Sequence, residues 1–194
     1  MPHLKFDIAK LERLNDPGRF DSIPPARLWE ALGGPADSRV IVEIGAGTGM
    51  FAAAFSELAP HATVYATDIE DAMLEWMRLN RPQVAEGRIV AIRSEESHVP
   101  LADGIADVVF MINLHHELAE PDAMYAEARR LLKPGGRLLV VDWALKETPK
   151  GPPAAVRASV SRLAEYLHDA GFENVHVDDG TLQWHMLATA VCPA

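Results

Sequence analysis

A single cysteine, Cys192, stands among the 194 residues. That excludes a disulfide within the chain and a thiolate metal cluster, and it agrees with a reducing compartment. Runs of Lys and Arg are missing as well. With 18 Lys+Arg against 28 Asp+Glu, for a formal charge of −10, the chain repels phosphate backbones and anionic lipid heads, so no nucleic acid partner is expected. No uncharged apolar stretch approaches the roughly 18 residues needed to cross a bilayer, and the opening MPHLKFDIAK lacks the apolar centre of a secretion signal. The expectation is a cytoplasmic protein with no membrane insertion. Internal repeats and long linkers are absent too, and the sharpest break of the second half, PKGPP at 149–153, is too short to separate domains.

What is present is the composition of one ordinary globular domain, 48% hydrophobic and 24% charged. Short β-branched runs alternate with stretches of helical spacing, the pattern of βαβ units around a mostly parallel sheet. Strands are predicted at 39–44, 63–67, 88–92, 107–111, 137–142, 173–177 and 184–191, and helices at 49–58, 70–79, 121–132 and 153–170. The connection Asp178-Asp179-Gly180-Thr181 is too short for a parallel crossover, so the last strand pair should be antiparallel. Ahead of the first strand, Leu4, Ile8 and Leu11 recur at helical spacing, Asn15-Asp16-Pro17-Gly18 turns the chain, and a helix is expected from Pro24 to Leu32. The fold class is thus α/β, a doubly wound seven-stranded sheet. Residues 1–38 are expected to form a helical cap on a domain at 39–194.

The specific chemistry begins at VIVEIGAGTG, an apolar strand running into Gly45, Gly47 and Gly49 and then a helix. Glycines there let backbone approach a ligand without Cβ atoms intervening, with the free N–H groups of a helix start beside it. A dinucleotide loop wants a further glycine where Met50 stands, and a phosphate-cradling loop wants Gly-Lys-Ser/Thr, which is missing. Asp68 ends the second strand, where a carboxylate can accept from both hydroxyls of a ribose. Glu43 sits in the apolar first strand, costly unless it holds loop N–H groups or a ligand ammonium. These features describe an adenosine ligand with a charged tail that is not a phosphate. Ordinary structural roles remain open beside these: Asp68 also suits a helix N-cap, and Glu95 and Glu96 a solvated acidic turn.

On these residues the chain resembles the class I S-adenosylmethionine-dependent methyltransferases, and within them a small subgroup near the ubiquinone/menaquinone-type enzymes. VEIGAGTGMF stands where that family has its glycine motif, VYATDIEDAMLEWM is similar to its second motif, RSEESHVPLADGIADVVFMINLHHEL resembles its adenine loop and fourth strand, and RLLKPGGRLLVVDW resembles its glycine turn and fifth strand. The resemblance implies a Rossmann-like fold and S-adenosyl-L-methionine as cofactor. It places Glu43, Gly45, Ala46, Gly47 and Gly49 around the methionine half, Asp68 on the ribose and Ile69 on the adenine face. Glu95, where the family usually has Asp, would take the adenine amino group, the Glu96 backbone a ring nitrogen, and the Asn113 backbone would close over the methionine end.

His115-His116-Glu117, just past the fourth strand, offers a general base for an acceptor that must lose a proton. Neighbours on an extended segment point opposite ways, so at most one histidine faces the acceptor, and the resemblance favours His116 with Glu117. Pocket lining is the competing reading, and three contiguous residues cannot all ligate one metal ion. Asp142 and Trp143 end the fifth strand, where acceptors bind in open sheets. His61, His98, His168 and His185 are scattered and read as superficial or satisfied by neighbours, Val156, Val160, Leu163, Ala164 and Leu167 as core, and Lys133-Pro134-Gly135-Gly136 as a structural turn. With little chain left over for a substrate domain, the expected activity is methyl transfer to a small molecule, in line from the sulfonium. The alternative is a non-catalytic cofactor-binding module. The acceptor and a homodimer are left open.

Overall fold

A computed structural model describes residues 11–194; Leu4 and Ile8 of the expected cap lie outside them. The helices are α1 (Leu11–Leu14), α2 (Arg19–Ser22), α3 (Pro25–Ala31), α4 (Met50–Leu58), α5 (Asp71–Asn80), α6 (Pro82–Ala85), α7 (Pro121–Leu131) and α8 (Val160–Asp169). The strands are β1 (Val40–Ile44), β2 (Thr63–Asp68), β3 (Ile89–Arg93), β4 (Ala106–Ile112), β5 (Leu132–Trp143), β6 (Glu173–Asp178) and β7 (His185–Val191). They form one sheet in the order β3-β2-β1-β4-β5-β7-β6, in which only the pairings of β7 are antiparallel. The order reverses between β1 and β4, and in open sheets the crevice beyond the strand ends at such a point is where ligands bind.

Both faces of the sheet are covered, which the period of two in its central strands requires. Ile41, Val64, Val108, Phe110 and Leu139 point into the cluster filled by α3, α4 and α5, while Val42, Ile44, Val109, Met111 and Val140 point into the one filled by α7 and α8. Phe55 of α4 stacks on Phe110 at 4.2 Å between ring centroids, fixing the first helix over the middle of the sheet.

Two predicted elements differ from the structure. The helix expected from Pro153 begins only at Val160, capped by the Ser159 hydroxyl, which accepts from the Arg162 N–H at 3.1 Å. Before it, the Arg157 guanidinium donates to the carbonyls of Pro152, Ala144 and Lys146 and to Thr148 Oγ1, so that segment makes only a 3-10 turn at Ala154–Val156 and is bound to the loop after β5 instead of joining the helix. The Lys133–Gly136 turn is absorbed into β5 as a bulge: Leu132 lies opposite Ala106 and Arg137 opposite Val108. Backbone bonds from Gly135 N–H to Cys192 and from Cys192 N–H to Gly136 close it.

The segment before α3 is laid over the glycine loop. Asn15 Oδ1 accepts from Thr48 Oγ1 at 2.9 Å and from Arg81 at 2.6 Å, while Arg81 Nε donates to the Thr48 carbonyl at 2.8 Å. Gly49 is the N-cap of α4 at φ 68°, and a Cβ there would lie 2.9 Å from the Met77 side chain of α5. Gly49→Ala is expected to cost at least about 1–2 kcal/mol, since it adds a left-handed alanine to a crowded contact. The urea midpoint checks it: an unchanged midpoint would contradict this account of the turn.

Candidate functional site

A cavity of about 600 Å³ opens beyond the carboxyl ends of β1, β2, β4 and β5, within the usual size of small-molecule sites. The glycine loop forms its floor. Gly45 and Gly47 line it at φ 71° and 54°, conformations in which L side chains are strained, and a Cβ on Gly45 would meet Leu114 at 2.7 Å. Ala46 lines the cavity beside them. Gly49 does not reach it; its requirement comes from the α4–α5 packing just described.

Two carboxylates dominate this end. Asp68, 8% exposed, accepts the Gly47 N–H at 2.7 Å on one oxygen and the Glu70 N–H at 2.9 Å on the other. It therefore anchors the loop, holds the Glu70 N–H just ahead of α5 and forms part of the wall at once, and burial pushes its carboxyl up despite the N–H groups of Glu70 and Gly47. Glu43, 2% exposed at the end of β1, keeps Oε2 without a hydrogen-bond partner among the described residues. Burial raises its carboxyl to about 8, against the Arg19 charge and an N–H of Ala52 that lower it. Arg19, which sequence reasoning missed, lines the cavity from the segment over it, its guanidinium 5.0 Å above the Phe51 ring and one N–H on the Leu14 carbonyl. A lone arginine after a turn carries no local signal of that position.

Ile69 lines the wall beside Asp68, and the exposed Glu95 and Glu96 stand on the rim. Glu95 is held by its N–H to the His98 carbonyl at 2.8 Å. Behind this loop, Glu127 takes the Val99 N–H at 2.6 Å and Arg130 donates to the carbonyls of Val99 and Leu101. Asn113 lines the cavity in a left-handed conformation, φ 57°, with Oδ1 buried and no partner among the described residues.

The His115–Glu117 segment is a 3-10 turn, not an extended one, but it still separates the two histidines. His115 points into the core: its Nδ1 meets the Tyr125 hydroxyl at 2.7 Å, its ring contacts Tyr166, and it does not line the cavity. His116 does line it, with Glu117. Its Nδ1 lies 2.9 Å from Asp142 Oδ1, and its Nε2 is 3.7 Å from Glu117 Oε1. Burial lowers its pKa, but the Asp142 bond and the charges of Asp142 and Glu117 outweigh that and leave it raised. Asp142 itself, 1% exposed, stands behind the histidine and not in the wall, contrary to the expectation that it would meet the acceptor.

The reading of His185 as superficial is overturned. It is 2% exposed, lines the cavity, and lies with its ring 4.3 Å from Trp143. A signal existed: an antiparallel last strand starts where the parallel strands end, so the first residue of β7 falls at the site. Beside Trp143, Lys150–Pro153 complete the wall.

An α/β sheet with its crevice at the reversal point, a glycine loop and paired acidic residues defines an adenosine-binding enzyme fold. Residues 42–140 match a methyltransferase domain family, and the chain belongs to it. It is 34% identical over 183 residues to the ubiquinone/menaquinone biosynthesis C-methyltransferase of Bordetella avium, covering 85% of this chain and 70% of that one. To the malonyl-[acyl-carrier protein] O-methyltransferase of Hahella chejuensis it is 36% identical over 99 residues, covering 51% of this chain and 34% of the relative. The crystal structure of an S-adenosylmethionine-dependent methyltransferase from Aquifex aeolicus matches with a TM-score of 0.86 at 28% identity, covering 97% of this chain and all of that one. This is a class I S-adenosylmethionine-dependent methyltransferase, and its cofactor is S-adenosyl-L-methionine. The donor set fits that cofactor: a buried, unpartnered carboxylate oxygen on Glu43 suits a positive ligand, and a second carboxylate on Asp68 suits hydroxyls.

Glu43 has a consequence for stability. Between the ordinary carboxyl value of 4.5 and about 8 the unfolded chain has released a proton that the folded chain keeps, so stability falls as pH rises through this window and levels off above it. Glu43→Gln, neutral throughout, should melt above the parent without ligand, by a margin that widens from pH 5 to pH 8 and is then constant. The same variant should bind S-adenosylhomocysteine about 10- to 100-fold more weakly. Parallel melting curves of the two proteins across pH would refute the first expectation.

Proposed function

We propose that this chain methylates a small molecule bearing an ionisable hydroxyl, with His116 as general base. The observation that carries the reading is the His116–Asp142 pair at 2.9 Å, in which the buried Asp142 backs a half-buried His116 that lines the cavity. Asp142 accepts from Nδ1–H, fixes the tautomer and leaves the Nε2 lone pair, beside Glu117, to receive a proton, the arrangement by which a carboxylate orients a catalytic imidazole.

Glu43 would take the ammonium of the cofactor, Asp68 its ribose hydroxyls, Ile69 an adenine face, Glu95 and the Glu96 backbone the adenine edge, and Arg19 the carboxylate. When bound, S-adenosylmethionine supplies a methyl on a positive sulfonium, taken in line by the acceptor oxygen while the C–S pair stays on sulfur and the hydroxyl proton passes to His116. The segment over the glycine loop and the Lys150–Pro153 loop restrict water there, and the walls orient the acceptor. The two curated relatives are named for transfer to carbon and to oxygen. Taking a proton from a ring hydroxyl activates either its oxygen or a ring carbon, so the base suits an acceptor of that kind on both counts, whereas a carboxylate acceptor needs none. The compactness of the cavity supports a small acceptor.

S-adenosylhomocysteine should raise the melting temperature, and no shift at saturation would overturn the reading. Asp68→Ala should weaken that binding by about 1.5–3 kcal/mol through lost charge-assisted bonds. Once an acceptor is in hand, His116→Ala should lower kcat about 10²–10⁴-fold with cofactor affinity kept. His116 must be neutral to act, so activity should rise with pH through its raised pKa. Asp142→Asn removes the raising charge and should move that rise to lower pH while lowering the plateau; an unmoved profile would deny the pair its role.

A further inference from the structure

We propose that the β5–β7 end of the cavity is the acceptor subsite and that His185 selects what binds there: a compact, mostly apolar compound with two neighbouring oxygens, one meeting His116 and the other His185. The inference rests on the methyl-transfer reading of the cavity and goes beyond it, since nothing in that chemistry needs a second imidazole.

The first observation is an unmet demand. His185 is 2% exposed, and neither ring nitrogen has a hydrogen-bond partner among the described residues. A buried polar group left unpaired costs on the order of 1–3 kcal/mol, and an imidazole has two nitrogens to satisfy. An aromatic or aliphatic side chain would fill the same space beside Trp143 without that cost. The imidazole is useful only when a ligand supplies the missing partner, and its ring is part of the cavity wall.

The second observation is placement. Trp143 lies directly across from His185 in the β5–β7 register, and the residue before it, Asp142, holds His116. The two imidazoles thus attach to consecutive positions at the end of one strand, near enough for the His116 charge to act on His185, on the β5–β7 side of the sheet away from the strand of Asp68. Leu118, Met124 and Pro152 supply apolar parts of the cavity wall, which Glu117 and Lys150 also line. The apolar parts hold a hydrophobic body but give it no fixed orientation, and His116 offers one nitrogen only, since Nδ1 is committed to Asp142. A second polar contact sets which oxygen meets the base.

The third is the chemistry of the ring. Burial lowers the His185 pKa to about 4, with Arg19, Arg157 and His116 adding to that and Asp142 opposing it. At neutral pH it is an uncharged imidazole, a donor at one nitrogen and an acceptor at the other, so it cannot share the base's task but can pair with a hydroxyl in either sense. The subsite thereby favours an acceptor with a second oxygen over a lone hydroxyl, and a vicinal pair is the most compact form of it.

The probes are catechol, phenol and 1,2-dimethoxybenzene, titrated into protein saturated with S-adenosylhomocysteine and carrying ¹⁵N-labelled histidine. Catechol should move the His185 ring resonances and bind about tenfold more tightly than phenol, and the dimethoxy compound should bind more weakly than either. His185→Phe should erase the preference for catechol while leaving S-adenosylhomocysteine affinity within about twofold, and His185→Gln, which keeps a donor and an acceptor, should restore part of it. Equal binding of catechol and phenol to the parent, an undiminished preference in His185→Phe, or no binding by any hydroxylated probe overturns the proposal. Should S-adenosylhomocysteine itself fail to bind, the methyl-transfer reading fails first, and that result is distinct from the other three. The resonance shift is read on the parent protein and does not depend on how either variant folds.

Discussion

Two carboxylates buried at the ends of adjacent parallel strands set the terms for much of this molecule. Glu43 and Asp68 leave water at 2% and 8% exposure, a cost that folding must recover locally. Asp68 recovers it through backbone N–H groups, and in doing so ties the glycine loop to the start of α5. Glu43 recovers only part, from Arg19 and Ala52, and one oxygen waits for a partner. Sequence around it follows from this: glycines that let N–H groups converge, a cation brought over from the preceding segment, and an Asn15–Thr48–Arg81 network that holds that segment down. A site for a positive ligand is thus present before the ligand arrives, and stability is spent to keep it so.

The fold was legible because its signals are repetitive and local. β-branched runs followed by stretches of helical spacing recur three times through residue 145, and the central strands are apolar at consecutive positions, as a sheet buried on both faces demands. The short Asp178–Thr181 connection made the last pair antiparallel from chain length alone. Where the reading erred, a distant side chain was responsible. Nothing in PPAAVRASV says that Arg157 will bond three carbonyls of the 144–152 loop and delay α8, and nothing in KPGG says that Cys192, at the far end of the chain, will hold it as a bulge.

The site divides the same way. Glu43, the glycines at 45 and 47, and Asp68 were readable because adjacency in sequence carries their geometry, and the strand-end rule placed His116. Gly49 was read for the ligand when its actual neighbour is Met77, one helix away. His115 and His116 could not be told apart until Tyr125 claimed one and Asp142 the other. Arg19 carried no local signal because it reaches the cavity by tertiary packing of a segment distant from the motifs, whereas His185 was missed although the reversed direction of β7 sets its first residue at the strand ends.

The reversed entry of β7 has a further consequence. The residues proposed to hold the adenosine and methionine ends come from β1, β2 and the loops behind them, whereas the wall near Trp143 is finished by the last strand and the 150–153 loop. Between these regions stand His116, backed by Asp142, and Arg19, whose charge acts on both Glu43 and His185. On the proposed reading, substitutions at the start of β7 would retune which compounds are accepted while most of the donor-binding half stays as it is. Two independently variable halves on one sheet make this architecture open to diversification: a drifting population of such chains explores new acceptors without passing through forms that have lost the donor.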